Sequence, residues 1–117
     1  MELVAFLGED SENWGQITGL INRGNWDKII LVKNTQTKSF PINEKTELIT
    51  VESSKKLLEL KKELMQKLKG KFSEFEACVS IASGTGKEHM ALLSALLSLP
   101  VGIRLVAFTK NGVEFVN

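Results

Sequence analysis

Ser83-Gly84-Thr85-Gly86-Lys87 is the stretch whose composition and setting point to chemistry. An apolar, β-branched run, Ala77-Cys78-Val79-Ser80-Ile81-Ala82, precedes it, and a helical run from Glu88 to Leu99 follows it. Strand, glycine turn and helix together make an anion site. Glycines let the backbone approach a ligand closely, and the first unbonded N–H groups of the helix point at it. Lys87 adds a positive charge at that mouth, and Ser83 and Thr85 add hydroxyls. The bland alternative is a tight connection that binds nothing. The turn is not a phosphate-binding loop of the G-x-x-x-x-G-K-[ST] type. With Gly86-Lys87 set on its G-K, Ile81 falls where the first glycine belongs and Glu88 where the magnesium-binding hydroxyl belongs.

A second turn of unusual composition, Gly8-Glu9-Asp10-Ser11, follows the first apolar run. Asp10 and Ser11 are candidate caps for the next helix. If the acids instead face a ligand, Glu9 and Asp10 repel an anion but can accept hydrogen bonds from ribose hydroxyls. This turn lacks the G-x-G-x-x-G spacing, which argues against NAD. His89, the only histidine, lies near the glycine turn and is read first as a surface or satisfied residue.

Composition narrows the classes. The chain has 117 residues, enough for one domain spanning 1–117 with its own core. Hydrophobic residues are 43% and charged residues 25%, as in a soluble globular protein. A net charge of +1 offers no basic field for nucleic acid, so direct DNA binding is not expected. The single Cys78 cannot form an internal disulfide, and one Cys with one His argues against structural zinc. No metal or cofactor is expected. The first residues lack a basic leader segment, and no apolar run approaches the roughly 20 residues of a membrane span. A reducing, cytoplasmic setting is the expectation.

The elements that must position the two turns follow from periodicity. Leu3–Leu7 is a continuous apolar run, as in a strand buried on both faces. Trp14, Ile17, Leu20 and Ile21 recur at helical spacing, and Gly24 ends that helix. Lys28–Val32 is the second strand. Residues 34–46 are a polar connection with a Phe-Pro-Ile island at 40–42. Glu47–Val51 is the third strand. A long helix is expected from Glu52-Ser53-Ser54 to about Lys69, with Leu57, Leu60, Leu64 and Leu68 as its apolar stripe. Its lysines, Lys55 and Lys56 among them, read as a solvated face broken by glutamates. The fourth strand is 77–82. The helix after the glycine turn is apolar nearly all round, so its second face needs a cover: another subunit, or residues 34–46. Ile103–Phe108 and Val113–Val116 form a terminal hairpin around Asn111-Gly112.

The order β-α-β-loop-β-α-β-α-β-β argues an α/β fold with a mostly parallel sheet and an antiparallel edge hairpin. The simplest strand order is 3-2-1-4-5-6. Strands 1 and 4 are then neighbours from which the chain winds off in opposite directions. The crevice outside their carboxyl ends receives Gly8–Ser11 and Ser83–Lys87 together.

Ala82-Ser83-Gly84-Thr85-Gly86-Lys87, followed by Met90-Ala91-Leu92-Leu93-Ser94-Ala95-Leu96, resembles the signature after strand four of CARF domains, the CRISPR-associated Rossmann-fold sensors. Their turn is Thr/Ser-Gly-Gly-Thr-Lys-like and enters an apolar helix. The element order, the turn after strand one and the closing hairpin are similar too. Gly86 separates Thr85 from Lys87, which the family pattern often has adjacent. The resemblance implies a homodimer whose paired crevices bind a cyclic oligoadenylate in antiviral defence. The ligand contacts it implies are Gly8, Asp10, Ser11, Ser83, Gly84, Thr85, Gly86 and Lys87. CARF domains usually carry a fused effector, for which 117 residues leave no room.

Two other classes stay open. One is a metal-independent ring nuclease, in which Lys87 and Ser11 stabilise an in-line attack by a ribose 2′-hydroxyl on the neighbouring phosphorus. The other is an α/β interaction or dimerisation protein without a small ligand.

Overall fold

A computed structural model describes residues 1–117. Nine regular elements follow in order: β1 (Glu2–Leu7), α1 (Trp14–Arg23), β2 (Lys28–Asn34), β3 (Thr46–Val51), α2 (Leu57–Leu68), β4 (Glu76–Ser80), α3 (Gly86–Leu97), β5 (Gly102–Thr109) and β6 (Gly112–Phe115). A single 3-10 turn, Ser11–Asn13, leads into α1. The six strands form one sheet in the order β3-β2-β1-β4-β5-β6. All neighbours are parallel except β5 and β6, as the alternation of strands and helices predicts. The fold is therefore Rossmann-like.

The pleat sorts the apolar residues onto two faces. Val4, Phe6, Ile30, Val32 and Val79 point to one face, where they meet Leu60, Leu64 and Leu68 of α2 and Ala91, Leu92, Ala95 and Leu96 of α3. Leu3, Ala5, Leu7, Ile29, Leu31 and Cys78 point to the other, under Ile17 and Leu20 of α1 and Trp26. Every residue of β1 is buried, so its run reads as continuous rather than alternating. Burial also pushes the Cys78 thiol up and keeps it protonated.

Residues 35–45 settle one open alternative. Phe40 packs edge-on against Trp14 with ring centroids 5.5 Å apart, and belongs to the α1 face. The connection thus lies on the opposite side of the sheet from α3 and cannot cover it. Met90 and Leu97 of α3 remain 59% and 75% exposed. No helix is long and apolar enough to cross a membrane.

The sheet's register brings the two turns together. β1 lies beside β4, with Ala5 opposite Ser80, so the chain leaves both strands at the same edge. Both α2 and α3 start at that edge and pack against each other as they run back. Their N-termini are neighbours for that reason.

Candidate functional site

The turn after β1 is held against the turn after β4 by a set of short contacts. The Gly8 amide donates to Ser83 Oγ at 2.9 Å. Ser83 Oγ donates in turn to Asp10 Oδ1 at 2.6 Å, and the Gly84 amide donates to the same oxygen at 2.9 Å. Asn13 Nδ2 supplies Asp10 Oδ2 at 2.7 Å. Trp14 Nε1 fixes the Gly8 carbonyl at 2.9 Å. Both glycines are required here. A Cβ on Gly8 would stand 2.5 Å from the Gly84 Cα, and Gly84 has φ +107°, a conformation that side-chain-bearing residues rarely adopt.

Asp10 is thus neither a helix cap nor an open acid. No side-chain cap bond reaches α1 or the 3-10 turn from it. Its carboxylate reaches across the crevice because the Ser83 hydroxyl and Gly84 amide are unfilled donors there. Burial alone would push Asp10 up, but the hydrogen bonds from Asn13, Ser83 and Gly84 outweigh it and hold the carboxyl below its ordinary value.

α3 begins at Gly86, two residues earlier than the sequence suggests, with Thr85 as its cap. The reason is a capping box that Glu88 closes. The Glu88 amide donates to Thr85 Oγ1 at 3.2 Å, and the Thr85 amide donates to Glu88 Oε1 at 2.8 Å. Glu88 is 5% exposed, and its other oxygen accepts the Ser53 hydroxyl at 2.5 Å. His89 lies within 2.6 Å of the Ser83 carbonyl through Nε2, so that nitrogen carries the proton. The Gly86 and Lys87 amides take no protein partner, and both residues are exposed.

α2 corrects the sequence reading more strongly. It starts at Leu57, not at residues 52–54. Ser53 and Ser54 look like caps, but Ser53 is held away: its amide donates to Asn34 Oδ1 at 3.0 Å and its hydroxyl to Glu88. Ser54 Oγ donates to Glu52 Oε1 at 2.9 Å. The cap position falls to Lys56, whose side chain makes no cap bond. Lys55 and Lys56 therefore do not ride on a solvated helical face. They sit at the N-terminus of α2, beside that of α3. Lys87 Nζ joins the two by donating to the Lys55 carbonyl at 2.7 Å.

The charges of this rim are only partly paired. Lys55 pairs with Glu63 at 3.3 Å, whereas Lys56 and Lys87 have no acidic partner. Burial would raise Glu63, but Lys67, the Glu52 amide and Lys55 together hold it low. The first amides of α2, at Leu57, Leu58 and Glu59, are unbonded. A helix N-terminus carries partial positive charge and is destabilised by a nearby cation. Two such termini and two lysines without an ion-pair partner meet at this mouth, where the acids of the first turns are Glu59 in α2 and Glu88 in α3, the latter engaged in the capping box.

The residues singled out in the sequence thus divide in two. Gly8, Asp10, Ser83 and Gly84 form an inner, internally satisfied cluster. Thr85, Gly86 and Lys87 form the outer rim with Lys55 and Lys56, which sequence reasoning set aside. Ser11 is exposed in the 3-10 turn with its hydroxyl unbonded, and no hydrogen bond joins it to Lys87, whose Nζ goes to the Lys55 carbonyl. Comparison with protein-family models and with the curated proteins finds no match to this chain.

Proposed function

We propose that this protein is a dimeric sensor domain that binds a nucleotide polyanion, of the cyclic oligoadenylate class, at the mouth of the β1/β4 crevice. The observation that carries the reading is the juxtaposition of two helix N-termini, five unbonded amides and the unpaired Lys56 and Lys87. Placing cations there costs folding stability, and a phosphate bridging α2 and α3 reverses that cost. A diester backbone with successive phosphates fits two neighbouring anion positions better than a single phosphate does.

The dimer enters because the mouth borders an apolar surface. Gly86, His89, Met90, Leu93 and Leu97 line one open groove along α3, so the rim and the exposed stripe are continuous. A two-fold axis through that groove covers Met90 and Leu97 and sets two mouths side by side, as a ring-shaped ligand requires. The competing reading, a ligand-free dimerisation protein, draws on the satisfied inner cluster around Asp10.

Thermal unfolding with and without cyclic oligoadenylates separates the two. Ligand at a hundredfold excess over its Kd adds about 2.7 kcal/mol, which for a domain of this size raises Tm by roughly 10 °C. No shift with any ring size favours the ligand-free reading. Sedimentation tests the dimer: Leu97→Glu is expected to give a monomer where the wild type is a dimer. A wild-type monomer at micromolar concentration contradicts the proposal.

A further inference from the structure

We infer that Asp10 determines where an anion can sit in this crevice: its carboxylate fills the inner position at Ser83 and Gly84 and confines a bound phosphate to the outer position between α2 and α3. The inference rests on the anion-binding reading above and refines it. In a glycine turn entering a helix, the innermost donors are the natural seat for a phosphate. Here those donors already have an anion. Asp10 Oδ1 takes both the Ser83 hydroxyl and the Gly84 amide, at 2.6 and 2.9 Å. The space is closed as well as occupied. A Cβ at Gly8 would come within 2.6 Å of the same oxygen and within 2.7 Å of the Gly84 nitrogen, so a tetrahedral phosphate cannot enter without expelling the carboxylate.

The carboxylate is anchored from behind. Asn13 holds Oδ2 at 2.7 Å, and Asn13 itself is fixed at the start of α1 by its amide, which donates to the Asp10 carbonyl at 2.9 Å. The group therefore acts as a permanent internal anion rather than a mobile acid. It also places a negative charge behind the outer rim. A compact, highly charged phosphate placed deep in the crevice meets both the steric block and that charge. A diester backbone lying across the rim meets Gly86, Lys87 and the start of α2 instead. Asp10 thereby selects extended phosphodiesters over ligands that bury a terminal phosphate.

The test is amide chemical-shift mapping of the ¹⁵N-labelled chain titrated with inorganic pyrophosphate and with a cyclic oligoadenylate. In the wild type, the amides of Gly86, Lys87, Leu57 and Leu58 are expected to move and that of Gly84 to stay. In Asp10→Ser, which vacates the position, Gly84 is expected to join them, and pyrophosphate affinity to rise roughly tenfold. Asp10→Asn keeps an acceptor for Gly84 but removes the charge. It is expected to tighten pyrophosphate by a smaller factor with Gly84 still silent.

A wild-type chain in which pyrophosphate moves Gly84 as much as Gly86 overturns the inference, and this needs no variant to fold. Asp10→Ser with unchanged affinity and a silent Gly84 overturns it too. If the wild type binds neither probe but Asp10→Ser binds pyrophosphate at Gly84, the sensor reading fails while Asp10's exclusion of the inner position stands. If neither protein binds either probe, both fall.

Discussion

α2 and α3 start at the same edge of the sheet, in contact, yet their first turns are completed in opposite ways. α3 has a threonine cap, a reciprocal glutamate and a carboxylate across the crevice on the preceding glycine turn. α2 has a lysine at its cap position and no side-chain bond to any of its first amides. The strand-to-helix turn with the stronger sequence signature is thus the better satisfied by the protein itself. The turn with the bland signature is the one whose helix start is left without a side-chain acceptor. Glycine and hydroxyl content alone does not distinguish a binding turn from a self-sufficient one. What distinguishes them is whether the chain's own groups already occupy the donors.

Substitutions in the inner cluster are expected to move stability most. Gly8→Ala drives a methyl into the Gly84 backbone at 2.5 Å, where no flexible side chain can yield. Overpacking of this kind costs about 3 kcal/mol, read as a drop in the urea midpoint. Glu88→Ala leaves the Ser53 hydroxyl and Thr85 amide without their acceptor at a buried site. A loss of about 2 kcal/mol is expected, with α3 fraying first in hydrogen exchange. A Glu88 variant as stable as wild type would remove the contrast between the two helix starts.

Lys87→Ala should act on the ligand instead. Charge-assisted contacts are worth roughly 1.5–3 kcal/mol, so affinity for a cyclic oligoadenylate should fall on the order of ten- to a hundredfold. Stability should change little, because the side chain is exposed and its one bond is to a backbone carbonyl. Unaltered binding would leave the rim a mere connection.

Acid sharpens the same division. The folded-state value of Asp10 lies below its ordinary one, so its contribution to stability is fully present above that ordinary value and is lost as pH falls through the folded value. Wild-type stability should therefore decline below roughly pH 4, and Asp10→Asn should flatten part of that decline. An unchanged acid limb in Asp10→Asn would mean that the carboxylate's charge does not hold the two turns together.

Much of this was legible in the chain. The sheet order followed from the alternation of strand runs such as Leu3–Leu7 and Lys28–Val32 with helical ones. The meeting of Gly8–Ser11 with Ser83–Lys87 followed from that order alone. The helix starts were not legible, since they depend on partners distant in sequence. Ser53 reads as a cap until Asn34 and Glu88, 19 and 35 residues away, claim its two polar groups. The same displacement hid Lys55 and Lys56, which look like helical-face lysines only if the helix begins before them. Asp10 reads as a cap because local sequence cannot show that Ser83, 73 residues on, is the better donor. The open face of α3 was visible in its all-round apolarity, although only the path of Phe40 decides that residues 34–46 do not cover it.

The most direct test of the central claim is Lys56→Asp, measured for stability and for cyclic oligoadenylate affinity in the same buffer. Aspartate at the α2 cap supplies the missing acceptor and complements the helix dipole, so stability should rise by about 1 kcal/mol. Ligand affinity should fall at least tenfold, because the variant replaces a cation with an anion at the proposed phosphate position. Opposite movements of stability and affinity are what a residue held in an unfavourable place for a ligand must give. A rise in stability with affinity unchanged, or no binding by either protein, would contradict the account.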